Sequence, residues 1–580
     1  MLKGIAVSKG ISIGEAHILD RSKLCALKQT INSSNIEKEI TRFRSAVEQT
    51  KKQMQETKKK ASKIAHKFSI ILDTYTLLLE DDILVKDTIN KIKVEKVNAE
   101  WAITETLKKS LLLFDKINDE YLKGKKDDLE LVVNGVIKNL LGYNQNSLSD
   151  IHKPVILITH ALSPSDTVSI PRQYVLGLAT AAGGKTSHVG IFASALGIPG
   201  VVGIKSLTEK INTGDQVIVD GINGHVIINP EKNLLELYKK KQSEHLQNED
   251  KLLLDIGKPA ITNDQFHVKL MANIESTHEI KTLKKFGAEG VGLYRTEFLY
   301  LSLQNLPSES DLYNNFKKAA QEISPYPIVI RTLDIGMDKQ LSSKGTNDED
   351  NPALGLRGIR LSLVNSELFE IQLRSILRAS LHGKVKIMYP MISDVQEVIT
   401  ANLILDNIKN EMREKQIPFD EDIEVGAMIE TPSAAICSDQ ILGEVDFISI
   451  GTNDLIQYML AVDRMNEQVA HLYEPYHLAI LKILKHISDN ARKAGKKVSI
   501  CGELGGDPLA TLFLLGLGNL DSLSMDPHSI PHVKKIICQS SLKDAKDFSQ
   551  QLLNLSSTTE INCFLTGEMR KRYPLSFQEG

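Results

Sequence analysis

The residues with the most chemical promise lie in GGKTSHVGIFASALGIPGVVG, residues 183 to 203, where a single histidine follows a glycine-rich turn. Gly183 and Gly184 open backbone angles closed to other residues, and Thr186 and Ser187 are small polar residues of the kind that begin helices. A helix start presents free N–H groups and favours an anion. There, the imidazole of His188 could attack phosphorus and hold the phosphoryl group as a phosphoramidate, with no cofactor of its own. A nucleotide-binding P-loop is the competing reading, because Gly184, Lys185 and Thr186 match its GK[ST] end. Its first glycine would fall at position 179, which is Ala179, so the loop that wraps the phosphates is not encoded.

A second set of reactive side chains recurs at fixed places in the last third. Eight apolar, strand-like segments alternate there with helical patterns: VKLMANIE, GVGLYRTE, PIVIRTLD, VKIMYPMI, EVGAMIET, DFISIGTND, KVSICGEL and DSLSM. Eight βα units close a (β/α)8 TIM barrel, whose active-site mouth is formed by the C-terminal strand ends. Those ends carry Asn273, Arg295, Arg331, Glu430, Asn453 with Asp454, and Cys501. Any one of them could simply pair locally; together they read as a site. Arg295 and Arg331, on adjacent strands, offer guanidinium forks that match phosphoryl oxygens, and Arg464 in TNDLIQYMLAVDRMN adds a third. Glu430 and Asp454 supply two hard oxygen ligands, too few for a calcium cage but suited to Mg2+ completed by substrate phosphate and water. With an unperturbed pKa of about 8.5, Cys501 is mostly a protonated thiol at neutral pH, able to give a proton to carbon. The plainer role for it is that of a small buried hydrophobe.

The elements that must position these residues fall into blocks. Residues 1 to 20 alternate apolar and small residues around Gly4, Gly10 and Gly14, as short strands with turns do. From Ile36 the apolar positions Ile36, Ile40, Phe43, Val47 and Met54 keep helical spacing. A second series, Ile64, Phe68, Ile71, Tyr75 and Leu78, and a third from Trp101 to Phe114 complete an all-helical insert closing around residue 142. Strand patterns return from Lys153 (PVILIT, YVLGLAT, VIVDG, HVIIN), so the insert interrupts one α/β domain. Residues 229 to 254 read as a charged helical linker with Leu234, Leu235, Leu237 and Tyr238 on its apolar face. The expected fold class is therefore multidomain α/β: a swivelling phosphohistidine α/β domain (1–20 plus 146–228), an all-α helical insert (21–145), a helical linker (229–258) and a TIM barrel (259–580). With His188 and the barrel mouth in different domains, the histidine must swing in to be loaded.

Composition limits the partners. In 580 residues, 70 basic and 73 acidic side chains leave a formal charge of -3, which gives no global attraction to nucleic acid or an anionic membrane. No run of about eighteen apolar residues suggests membrane insertion, and the first residues lack the apolar stretch of a signal peptide. Cys25, Cys437, Cys501, Cys538 and Cys563 form an odd, scattered set without a CxxC pair, which fits neither a disulfide framework nor a zinc site. A cytoplasmic location is expected.

Several motifs carry a family resemblance. GGKTSH, GLYRTEF (292 to 298), RTLDIGMDK (331 to 339), ETPSAA (430 to 435), SIGTNDLIQY (449 to 458), AVDR (461 to 464) and CGELGGD (501 to 507) occur in this order and spacing. Together they resemble the enzyme I family of bacterial phosphoenolpyruvate-dependent sugar phosphotransferase systems, from the N-terminal strands to about residue 550. The resemblance implies phosphoryl transfer from phosphoenolpyruvate to His188 and then to an HPr-type histidine-containing phosphocarrier protein, with release of pyruvate. It implies Thr167 beside His188 as a supporting residue. It further implies that Arg295, Arg331 and Arg464 bind phosphoenolpyruvate with Arg357 of GLRGIR in support, and that Asn453 contacts substrate. Glu430 and Asp454 then hold Mg2+, Cys501 protonates the enolate, the helical insert docks the carrier, and the barrel forms a homodimer. Two positions depart from the family pattern: Met337 in DIGMDK stands where a glycine is usual, and Tyr75 precedes TLLLEDD where histidine is common. The nearest alternatives are the nitrogen-type regulatory paralogue, which serves a different carrier, and an inactive scaffold. Pyruvate phosphate dikinase relatives need a nucleotide-grasping domain for which the first 150 residues leave no space.

Overall fold

A computed structural model describes residues 1–19, 28–61, 82–116, 120–141, 151–162, 170–171, 173–184, 189–190, 193, 197–254, 256–301, 306–335, 351–464, 466 and 468–577. The chain divides into two compact units, Met1–Gln247 and Asn248–Glu579. No helix among the described residues is long and apolar enough to cross a membrane.

The first unit contains an eight-stranded mixed sheet. Its strands are β1 (Leu2–Lys3), β2 (Ile5–Ser8), β3 (Ile11–Ile18), β4 (Val155–Thr159), β5 (Val175–Thr180), β6 (Gly200–Val202), β7 (Gln216–Asp220) and β8 (His225–Ile228), in the order β1-β8-β7-β3-β4-β5-β6-β2. β3 pairs in parallel with β4, His17 opposite Leu157, so strands far apart in sequence meet across the helical insert. VILIT of β4 is buried throughout, as a central parallel strand covered on both faces must be. Helices Ile36–Ala61, Asp82–Glu95, Ala99–Lys116 and Glu120–Leu141 form a separate all-α group. Their core joins Ile40, Phe43 and Val47 to Ile92, Ile103, Val132, Val133 and Val136. The expected apolar series from Ile64 to Leu78 lies outside the described residues.

Helix Lys232–Leu254 departs from the linker expected for residues 229 to 258. Leu234, Leu235 and Tyr238 pack with Ile11, Ile218 and Ile227 of the sheet, and the Gln242 amide donates to the Ile11 carbonyl at 2.8 Å. Leu237 is half exposed, so it is not on the packed face. The first half of this helix is thus part of the first unit rather than a free tether.

In the second unit all eight expected segments form parallel strands that close into a barrel: β9 (Lys269–Ile274), β10 (Val291–Tyr294), β11 (Ile328–Arg331), β12 (Val385–Tyr389), β13 (Val425–Ile429), β14 (Phe447–Ile450), β15 (Lys497–Ile500) and β16 (Leu520–Met525), with β16 pairing β9. Alternation along each strand separates two environments. Ile387, Ala427, Ile429, Ile448, Ile450 and Ile500 join the large core shared with the helices, whereas Leu293, Val329, Met388, Met428, Phe447 and Cys501 form a small cluster of their own in the barrel interior.

Candidate active site at the barrel mouth

Each site residue is held where a strand stops. Glu430 follows β13 directly, and Thr431 caps the next helix, Pro432–Ile436, by accepting from the Ala434 N–H. Proline at the first helical position reinforces that stop. Asp454 lies in the first turn of helix Thr452–Leu460 after β14, where the helix dipole favours a carboxylate. Arg331 ends β11, Arg295 follows β10 with its N–H donating to the Ile274 carbonyl at 3.0 Å, and Cys501 follows β15.

The side chains then form a chain of alternating charge. Arg331 contacts Glu297 through Nη2 at 2.8 Å and Asp334 through Nη1 at 2.8 Å. Arg357 bridges Asp334 at 3.0 Å and Asp454 at 3.2 Å, and donates to the Tyr458 hydroxyl at 3.3 Å. Arg464 reaches the other oxygen of Asp454 at 3.3 Å, and Arg295 reaches Glu275 at 3.3 Å. Arg331 is 8% exposed, and burial opposes its charge, yet the carboxylates of Glu297, Asp334 and Glu430 overcompensate and raise its pKa. Among the described residues the Nε groups of Arg295 and Arg331 are buried without a hydrogen-bond partner.

Glu430 is only 2% exposed and accepts from the Met391 N–H through Oε1 at 2.7 Å. Its carboxyl is pushed up to about 8 by burial and by the charges of Asp334 and Asp454, against the pull of Arg331. Met391 adopts a left-handed backbone, φ +55°, to aim that N–H. Gly451 is required opposite: a β-carbon there would stand 2.6 Å from Oε2 of Glu430. Gly358, at φ +58°, has a similar constraint, since a β-carbon would meet Met391 at 2.6 Å and so disturb the turn that presents Arg357.

Asn453 ties two loops together by donating to Glu503 at 3.2 Å and accepting from the Glu503 N–H at 2.8 Å. Its carbonyl also accepts from Tyr473 at 3.2 Å, so Asn453 is engaged with protein groups around the mouth. Asn273 donates to the Cys501 carbonyl at 2.9 Å and accepts from Ser524 at 2.6 Å. Cys501 is 2% exposed, its thiol 3.6 Å from the Ile450 carbonyl, and burial pushes its pKa up to about 11.

The structure thus brings together Arg295, Arg331, Arg357, Arg464, Glu430, Asn453, Asp454 and Cys501. Asp334, Glu297 and Tyr458 were not foreseen; the signal for Asp334 was its place three residues after an arginine due for burial, which needs a paired charge. In the first unit Gly183 has φ +112° as the turn requires, whereas Gly184 does not share that positive φ. Helical conformation resumes at Val189, Gly190 and Ala193, with Val189 and Ala193 buried. His188, Thr167, Thr186, Ser187, Met337 and Tyr75 lie outside the described residues.

The donor chemistry suits a hard divalent cation. Glu430 and Asp454 present oxygens only, and a bound cation would offset both the burial and the neighbouring negative charges of Asp334 and Asp454 that raise the Glu430 pKa. Among the described residues no three His, Cys, Asp or Glu side chains are grouped as a metal cage, so such an ion depends on further ligands from substrate and water.

Comparison with known proteins gives three matches along the chain. Residues 3–125 match the family described as PEP-utilising enzyme, N-terminal; residues 151–224 match its mobile domain; residues 251–542 match its PEP-binding domain. Proteins named phosphoenolpyruvate-protein phosphotransferase are similar over nearly the whole length. Those of Bacillus sp. (strain S) and Bacillus subtilis (strain 168) are each 41% identical over 565 residues, covering 97% of this chain and 97% and 99% of theirs. That of Haemophilus influenzae is 38% identical over 566 residues, covering 97% of this chain and 98% of its own.

Proposed function

Since the chain belongs to the PEP-utilising enzymes, we propose that its barrel mouth takes the phosphoryl group from phosphoenolpyruvate and delivers it to His188, as a phosphoenolpyruvate-protein phosphotransferase. From His188 the group passes to an HPr-type histidine-containing phosphocarrier. In the first half-reaction the bridging P–O bond of phosphoenolpyruvate breaks and a P–N bond forms at His188; the enolate left behind takes a proton at C3 and becomes pyruvate. The reading rests above all on the continuous chain Glu297–Arg331–Asp334–Arg357–Asp454–Arg464 with Glu430 beside it.

Arg295 and Arg331 hold the phosphoryl oxygens, with Arg464 and Arg357 toward the rest of the substrate and the cation ligands. Asp334 does not touch substrate in this reading; it pairs with both Arg331 and Arg357, so the site is organised before the substrate arrives. Glu430 and Asp454 would hold Mg2+, which neutralises phosphoryl and enolate oxygens when bound. Asp454 can turn to it because its contacts with Arg357 and Arg464, at 3.2 and 3.3 Å, are longer than tight charge-assisted bonds. Cys501, a thiol at neutral pH, gives the proton to C3. Asn453 positions the loop bearing Glu503 behind that thiol and contacts substrate. His188 reaches the mouth by movement of the first unit, with Thr167, Gly184, Thr186 and Ser187 shaping its surroundings. We place this enzyme in the cytoplasm, in a sugar phosphotransferase system, as a homodimer through the barrel; half-exposed or more exposed Leu354, Val364, Leu403 and Ile436 give that unit apolar surface.

Arg331→Lys tests the assignment, because a lysine keeps the charge and loses the fork. Steady-state assays should show kcat/KM for phosphoenolpyruvate lowered at least about tenfold, while transfer from a phosphorylated carrier back to His188 persists. An unchanged kcat/KM would remove Arg331 from the substrate site.

A further inference from the structure

Beneath Cys501 a row of serines interrupts the apolar interior of the barrel. Ser449 of β14 stands opposite Ser499 of β15, which in turn stands opposite Ser522 of β16, so a row of hydroxyls crosses three adjacent strands. Ser499 and Ser522 are hydrogen-bonded at 2.7 Å. Cys501 is two residues beyond Ser499, so it occupies the next inward-facing level, toward the mouth. Ser449 is fully buried, and its hydroxyl has no hydrogen-bond partner among the described residues. An orphaned buried hydroxyl costs stability unless something occupies it part of the time. The same three serines line a pocket whose other walls include Lys269, Lys386 and Lys497 at the N-terminal strand ends. Lys497 is exposed and Lys269 and Ser499 are partly exposed, so this pocket meets solvent at the end of the barrel opposite the mouth.

A thiol that has given its proton to C3 is a buried thiolate, and it must regain a proton before the next turnover. We infer that Ser449 relays this proton to Cys501 from solvent entering the N-terminal pocket along Ser499 and Ser522, leaving the substrate-filled mouth closed. In that step the Ser449 O–H bond breaks as the Cys501 S–H bond forms, and Ser449 takes a proton from a pocket water that bulk solvent reprotonates. The net change is one solvent proton delivered to C3 of the enolate. Met271, Val329 and Phe447 give this pocket apolar walls, and its serine hydroxyls and lysines offer the polar partners that an ordered water needs. The inference rests on the proton-donor role of Cys501, and Ser449 acts through that thiol as a positioning residue.

Exchange of pyruvate methyl protons with D2O, followed by NMR with the full-length protein and Mg2+, isolates the relay, since deuterium enters the methyl group only if the thiol exchanges with solvent between removing and returning a proton. Single-turnover loading of His188 from phosphoenolpyruvate is measured beside it. Ser449→Ala should slow exchange about tenfold more than it slows loading, and Ser449→Thr, which keeps the hydroxyl, should restore most of it. Cys501→Ser should lose exchange. If Ser449→Ala exchanges as the unaltered protein does while Cys501→Ser does not, the relay alone is wrong. If exchange and loading fall together and Ser449→Thr rescues neither, Ser449 is only structural. Undiminished exchange in Cys501→Ser overturns the donor role itself, and the relay with it.

Discussion

At the scale of single residues, the site is an arrangement of buried charges that are tolerable only together. Asp334 is 7% exposed and its carboxyl is held below the usual range, burial being outweighed by Arg331 and Arg357. Asp334→Asn should therefore cost about 3–5 kcal/mol in denaturant unfolding of the barrel, the range for stranding one partner of a buried pair. A loss below about 1 kcal/mol would mean that solvent reaches these guanidiniums. Gly451→Ala puts a methyl group against Glu430, so metal-supported loading of His188 should fall while barrel stability changes far less; equal losses in both would make Gly451 a packing residue only. The thiol of Cys501, with its pKa near 11, stays protonated across the physiological range. Cys501→Ser should slow pyruvate formation by roughly 10²-fold or more when chemistry is limiting, and an unchanged rate returns Cys501 to a packing role. The residues legible in the sequence were those whose chemistry faces substrate, because arginines, carboxylates and a cysteine at strand ends have few structural reasons to recur. Asp334 and Glu297 are not legible in the sequence because their work is done on other side chains, and sequence spacing does not reveal which buried cation needs them.

At the scale of elements, legibility followed the strength of the repeat. Eight apolar strands at βα spacing predicted the closed barrel, and a helical period from Ile36 predicted the all-α group. β6, Gly200–Val202, has no signal in the sequence, because three residues flanked by proline and glycine carry no period. Leu237 was assigned to the packed face of its helix, but Leu234, Leu235 and Tyr238 already cover the sheet, and only the docking angle decides which neighbour is left out. The all-α group also makes a pH prediction. Glu100 is buried, yet hydrogen bonds from Arg42 at 2.8 Å and Asn98 at 2.9 Å outweigh burial and lower its pKa. A carboxyl whose pKa is depressed on folding adds stability that is present above its unfolded pKa, about 4.3, and lost as pH falls through the folded value. Thermal unfolding followed by circular dichroism should therefore show stability falling below about pH 4 in the unaltered protein, with a shallower fall in Glu100→Gln. Parallel curves would show that the Arg42 pair contributes nothing.

At the scale of the whole molecule, the account divides labour between two units that each possess a core: Met1–Gln247 would receive and pass on the phosphoryl group, and Asn248–Glu579 would bind phosphoenolpyruvate and dimerise. Because helix Lys232–Leu254 is fastened to the sheet by Tyr238 and Gln242, the swing that carries His188 to the barrel is expected to bend the chain beyond Gln242 rather than along the whole segment. Residues 1–247 alone should exchange phosphate with the carrier and take none from phosphoenolpyruvate; the barrel added in trans should restore loading only weakly, since the tether's effective concentration is lost. Self-loading of that fragment from phosphoenolpyruvate would end the division proposed. The most direct measurement of the central claim is the fate of isotopic phosphorus from phosphoenolpyruvate when the full-length protein is incubated with it and Mg2+. The account predicts one labelled site, labile to acid and stable to base, formed with stoichiometric pyruvate and absent in His188→Ala. Label that persists in His188→Ala, or pyruvate released with no label on the protein, would contradict it.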